Sequence, residues 1–218
     1  MPRIPVCFRR VSLPASLLVS SLFTISCATA PAPGAGFPRA RLALAPTAYE
    51  VAREADAPIA AGEAAFRWRS SGALRLYVQP TAALAGWTPH HLALVDEAVL
   101  AWTAAGSAHI ERVAWPHEAD IRLYWTDQLP TSNPGITMLY RTRGGRLARA
   151  DVFVRVEPAP WGTGSPDRVL YCTIAHELGH ALGLGHDPAP GSLMHAAPLV
   201  TAVTRLDVAR LERLLKDE

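Results

Sequence analysis

The sequence predicts a single mixed α+β domain, and three observations carry that expectation. Residues alternate between apolar and polar in Leu74-Arg75-Leu76-Tyr77-Val78, the period of a strand. Leu92, Val95, Val99 and Trp102 recur at helical spacing behind Thr88-Pro89, a capping residue and a first-turn proline. Residues 176–186 read HELGHALGLGH, a helix bearing histidines and an acid and broken by a glycine. At 218 residues the chain suits one main domain with extensions, large enough to bury a core.

Residues 1–26 read as an export signal. Arg3, Arg9 and Arg10 form a basic start, and Val11 to Ser26 carries no charge. The apolar run is too short and too rich in serine for a transmembrane helix. It ends in Thr24-Ile25-Ser26-Cys27, which resembles a bacterial lipoprotein cleavage box, so lipidation at Cys27 is the favoured reading. The alternative is ordinary cleavage after Ala28-Thr29-Ala30, with Pro31 then following the cut. The expected location is outside the cytoplasm: membrane-anchored in the periplasm or at the cell surface, otherwise secreted. Membrane contact is expected only through that lipid. Removing residues 1–26 takes three arginines and no acids, leaving 18 basic and 19 acidic residues. The basic excess of the full chain therefore gives no reason to expect nucleic acid as a partner. Cys7 leaves with the signal, and a lipidated Cys27 leaves Cys172 alone, so stability is expected from the core and a metal rather than disulfides.

Residues 27–65 read as an alanine- and proline-rich tether, and the compact domain is expected over 66–218. After the first strand and helix, Ile110 to Ala114 is a candidate short strand, and Ala119 to Trp125 a clearer one. Ile136 to Arg141 and Ala150 to Val156 form a hairpin pair joined across Gly144-Gly145. Either Ser165 or Asp167 caps the histidine-bearing helix, which runs to about Leu182. Thr204 opens the last helix, with Asp207 in a capping-box position and Val208, Leu211 and Leu215 on one face. Arg141, Arg143, Arg146 and Arg149 crowd the proposed hairpin. A solvated surface is the favoured reading there, over a preference for acidic substrates or lipid headgroups.

The chemistry sits in the eleven-residue run. Residues four apart share a helical face, so His176 and His180 can grip one ion, and Glu177 is set to the side, within reach of a water at the metal. Gly183 lets the chain leave the helix in a left-handed conformation and double back, so that His186 can supply a third imidazole. Three neutral nitrogens around zinc leave a fourth position for water, the pattern of a catalytic site. One catalytic Zn2+ is the expected cofactor.

The extended HExxHxxGxxH pattern, with Met194 in Ser192-Leu193-Met194-His195, resembles the metzincin clan of zinc endopeptidases. The short link from His186 to Met194 resembles its matrixin branch, although Asp187 and His195 stand where matrixins usually carry serine and tyrosine. The resemblance covers about residues 66–218. It implies a twisted, five-stranded mixed sheet with one antiparallel edge strand near Ile136 to Arg141, packed on three helices. An extended protein or peptide substrate would add to that edge by main-chain pairing. It further implies that Met194 forms an apolar floor beneath the histidines and that Cys172, one turn before His176, sets the depth of a specificity pocket. Pro198 and Leu199 would wall that pocket, and His195 either lines the cleft or is a turn residue. Asp187 either orients a histidine or caps the turn before Pro188. Animal matrixins carry a further zinc held by histidines ahead of the edge strand. No histidine lies between His117 and His176, and no acidic cluster stands there, so neither a structural zinc nor calcium is expected.

The reaction expected is peptide-bond hydrolysis by water activated at a three-histidine zinc, with Glu177 as general base. Two other classes remain open: a non-catalytic module that keeps the metal as a scaffold, and a zinc hydrolase of cell-wall peptides. Retention of Glu177 argues against the scaffold. Oligomeric state is not legible.

Overall fold

The computed structural model describes residues 59–69, 72–104, 108–157 and 165–216. The signal, Cys27 and most of the tether lie outside those residues. The described chain forms β1 (Ile59–Ala60), β2 (Leu74–Val78), α1 (His90–Thr103), β3 (Ile110–Arg112), β4 (Ile121–Thr126), β5 (Gly135–Arg141), β6 (Leu147–Arg155), α2 (Pro166–Ala181) and α3 (Arg205–Lys216). All six strands join one sheet in the order β1-β5-β6-β4-β2-β3. The pairs β2–β3, β2–β4 and β4–β6 are parallel, while β5 runs antiparallel to β6. Strands β2 to β6 are the five-stranded mixed sheet that the resemblance implies.

The sixth strand is an addition. Ile59–Ala60, within the stretch placed in the tether by composition, add to the sheet: Ile59 pairs with Leu139 and Ala60 with Met138, antiparallel. A bare strand edge exposes unpaired N–H and C=O groups, and β1 covers part of that edge on β5. Ala61, next in the chain, is buried.

Alternation holds in β2 and fails in β4 and β6, whose residues are buried on both faces. Parallel strands inside a sheet must be covered on both sides, which explains the near-continuous burial. On one face Leu76, Ile121, Leu123, Val152 and Val154 share the main core with Val95, Trp102, Ile174 and Leu178 from α1 and α2. On the other, Tyr124, Ile136, Met138 and Phe153 form a smaller cluster. Two indoles tie the layers together. Trp102 Nε1 donates to Ala175 O at 2.9 Å, and Trp68 Nε1 donates to Ala181 O at 3.0 Å. Truncating a fully buried tryptophan of this kind costs about 3–5 kcal/mol.

Local expectations need small corrections. Helix α1 begins at His90 and buries His91, Leu94, Val95, Ala98 and Trp102, so its inner face is rotated from the predicted one. Thr88 does not cap through its side chain; its Oγ1 lies 3.1 Å from His91 Nδ1. The arginine-rich hairpin is not uniformly solvated. Arg149 is buried, pairs with the fully buried Asp151 at 3.1 Å and stacks on Tyr140 at 3.8 Å from the ring centroid. A guanidinium can be buried here because an opposite charge and an aromatic face replace water. On α3 Leu211 is buried, while Leu215 is exposed.

Candidate metal centre and active site

Ser165 caps α2, its Oγ accepting from Arg168 N–H, and Pro166 opens the first turn. Asp167, the other capping candidate, lies 3.0 Å from His90 instead. The helix carries His176, Glu177 and His180 and stops where Gly183 takes φ 105°. That conformation strains any residue with a Cβ, and at Gly183 the Cβ would also run into the carbonyl of Phe66. The chain turns there and brings His186 back to the helix. The described residues hold one group able to bind a metal, the imidazoles of His176, His180 and His186, whose ligand atoms all lie within 4.8 Å of one another.

Each ring is set by what its Nδ1 touches. His176 Nδ1 donates to Leu193 O at 2.6 Å and His180 Nδ1 donates to Leu184 O at 2.8 Å. His186 Nδ1 lies 3.3 Å from Glu63 Oε1. A ring that donates through Nδ1 keeps its Nε2 lone pair free for a metal. Nε2 of His176 and of His186 is buried with no hydrogen-bond partner, a costly state for a polar atom unless an ion completes it. Burial also keeps the helical pair neutral: it lowers His176 to about 4 and His180 well below its ordinary value. Three converging imidazole nitrogens, two of them buried without a hydrogen-bond partner, fit zinc.

Glu177 is buried beside β5. Thr137 Oγ1 lies 2.7 Å from its Oε2 and 3.0 Å from its main-chain carbonyl, and the hydroxyl donates. The close approach depends on Gly135, where a Cβ would stand 2.7 Å from Glu177 Cγ and 2.9 Å from Thr173 Cγ2. Strand β5 thus presents its edge and its hydroxyl donor directly at the acid.

The turn Ser192 to His195 lies against this centre. Met194 is fully buried, and its sulfur fills the space beside Gly179, together with the Trp102 ring. Asp207 of α3 makes the predicted capping box, accepting from Thr204 N–H at 2.8 Å while Thr204 Oγ1 takes the Asp207 N–H at 3.4 Å. The same carboxylate takes the Ser192 hydroxyl and the N–H of Leu193 at 3.0 Å. Since Leu193 O holds His176, Asp207 supports a candidate metal ligand through the turn. Asp187 caps its own turn, accepting from Ala189 N–H at 2.7 Å, and pairs with Arg210 at 3.0 Å. Arg210 also donates to the carbonyls of Gly185 and His186. Thr137, Glu63 and Arg210 escaped the sequence reading, as did the second task of Asp207, because their partners lie far off in the chain.

The candidate pocket residues do not share one environment. Cys172 is buried within the main core, and burial pushes its thiol up to about 11. Pro198 is buried, whereas Leu199 stands in solvent at 55% exposure. His195 Nδ1 is engaged with Ala197 of its own turn.

A mixed sheet over a helix with three converging imidazoles, a buried acid beside them and a methionine turn defines a zincin-type metal centre. Comparison with known proteins narrows the class. The matrixin peptidase model matches residues 91–209, more than half of the chain, and the chain belongs to the matrixin family. It is 31% identical to rat matrilysin and to human matrilysin over 108 residues, 47% of this chain and 40% of each relative. It is 28% identical to human neutrophil collagenase over 106 residues, 46% of this chain and 22% of that protein. The aligned part of the chain therefore spans less than half the length of the curated relatives it matches.

Proposed function

We propose that the protein is a zinc-dependent endopeptidase that hydrolyses peptide bonds in protein or peptide substrates. The observation that carries this reading is the set of three imidazoles, the helical pair held neutral by burial, aimed at one point with Glu177 one residue along from His176. His176, His180 and His186 would hold a single Zn2+. Bound there, Zn2+ would supply Lewis-acid chemistry and would bring the pKa of water to about 7. The remaining work belongs to the chain. Glu177 accepts a proton on its carboxylate from the attacking water and returns it to the leaving amine. Thr137, donating to Oε2, holds the carboxylate in one orientation for that transfer. Asp207 and Arg210 keep the turn at Leu193 and the loop at His186 from drifting, so the imidazoles stay convergent. The edge of β5 receives an extended substrate by main-chain pairing. Cys172 with Pro198, Leu199 and His195 is the proposed pocket for the substrate side chain beyond the scissile bond. We further propose export through residues 1–26 and anchoring by lipid at Cys27, which rests on the composition of that segment.

Digestion of casein and of a peptide mixture, with and without a zinc chelator, tests the reading. Cleavage abolished by chelator and restored by zinc is expected. Stoichiometric zinc binding with no cleavage of any peptide would favour the scaffold reading instead.

A further inference from the structure

The edge of β5 that a substrate would use is partly taken by the protein's own chain. Strand β1 runs antiparallel along it, Ile59 on Leu139 and Ala60 on Met138. The next residue continues the register: Ala61 N–H donates to Thr137 O at 2.8 Å, and Ala61 is only 4% exposed. Each step moves closer to the acid, because Thr137 is the residue that donates to Glu177 and Gly135 packs on Glu177 Cγ. The segment then turns away at the metal ligands. Gly62 O accepts from His186 N–H at 2.8 Å, the main chain of Glu63 packs on Gly185, and Phe66 N–H donates to Gly183 O at 2.8 Å.

A peptide adding antiparallel to β5 would travel the same way. Its residues ahead of the scissile bond would lie on Leu139 to Thr137, and those after it on the Gly135 side. We propose that Ile59–Glu63 is a built-in stand-in for the N-terminal half of a substrate. In this state the domain favours peptides with little chain before the scissile bond, and it accepts longer ones only when the segment is displaced. The inference rests on the proposed peptidase activity. Its recognition elements are main-chain groups, so displacement depends on strand pairing rather than on any one side chain. Glu63 stays outside the test, because its carboxylate touches His186.

The test uses the full chain with two separate substitutions, Ala61→Pro and Ile59→Pro. Proline at 61 removes the donor to Thr137 O, and proline at 59 is poorly tolerated in a paired strand. The probes are two fluorogenic peptides identical after the scissile bond, one extended before it and one carrying only a blocked residue there. Zinc content and the thermal midpoint are measured alongside. The ratio of kcat/KM for the long peptide over the short one is expected to rise about tenfold in either variant, through KM, with zinc content unchanged. Folded, zinc-loaded variants with an unchanged ratio overturn the proposal while leaving the peptidase reading intact. Absence of chelator-sensitive cleavage of either peptide by any of the proteins overturns both. Should the variants not fold, amide exchange in the unsubstituted chain decides. A long non-cleavable peptide is expected to deprotect Ala61, and its binding with Ala61 still protected overturns the proposal.

Discussion

Replacing Asp207 with alanine tests how far the metal centre depends on a residue that touches no metal. The carboxylate is fully buried and takes the N–H of Leu193, the N–H and hydroxyl of Thr204, and the Ser192 hydroxyl. Met194 N–H has a second acceptor in Ser192 Oγ at 3.0 Å, so it is not stranded by the change. The N–H groups of Leu193 and Thr204 lose their acceptor, and each such donor costs about 1–3 kcal/mol. The expected loss is therefore about 4 kcal/mol, at the top of the range for a single substitution. The effect should also reach the metal, because Leu193 O fixes the Nδ1 of His176. Loosening that acceptor is expected to weaken zinc binding about tenfold to a hundredfold. Urea unfolding of zinc-loaded and zinc-free protein reads the first quantity, and competition with a chromophoric chelator reads the second. A stability change below about 0.5 kcal/mol with unaltered zinc affinity would refute the reasoning.

Two further outcomes follow from the same geometry. Thr137→Val keeps the shape of the side chain but removes the donor to Glu177 Oε2. It should lower kcat roughly tenfold to a hundredfold with zinc still bound, the worth of a hydrogen bond to a charged group, and an unchanged kcat would remove Thr137 from the account. In zinc-free protein, burial depresses His176 to about 4 from an ordinary 6.5, so between those values the unfolded chain binds a proton that the folded chain does not. His176 should thus contribute about 3 kcal/mol of stability that is complete above pH 6.5 and is lost as pH falls towards 4, with His180 acting in the same direction. Urea midpoints that stay flat across that window would contradict the neutral, buried imidazoles.

The clustering of the three histidines was legible because their spacing is local. A helix places residues four apart on one face, and Gly183 is the only kind of residue suited to φ 105°, so HELGHALGLGH states its own geometry. The five strands β2 to β6 were legible from short apolar runs and from Gly144-Gly145, although β4 and β6 lost their alternation once both faces were covered. Strand β1 was not, since Ile59-Ala60 sits in alanine-rich sequence and its partner lies some eighty residues away. The residues that brace the site were hidden for the same reason. Thr137 reaches Glu177 from another strand, Glu63 reaches His186 from the far end of the domain, and Arg210 reaches the Gly185 and His186 carbonyls from the last helix. Asp207 was read as a helix cap, which it is, but its contacts with Ser192 and Leu193 depend on tertiary packing that no spacing records. Arg149 resembled a surface charge until Asp151 and Tyr140 were seen to enclose it.

The most direct test of the central claim is single-turnover and steady-state cleavage of a fluorogenic peptide by Glu177→Gln protein, with zinc measured in the same sample. The account predicts one zinc per chain, retained fold and a rate lower by orders of magnitude, because the substituted amide cannot take a proton from water. Zinc-loaded Glu177→Gln protein that cleaves at the unsubstituted rate would contradict it.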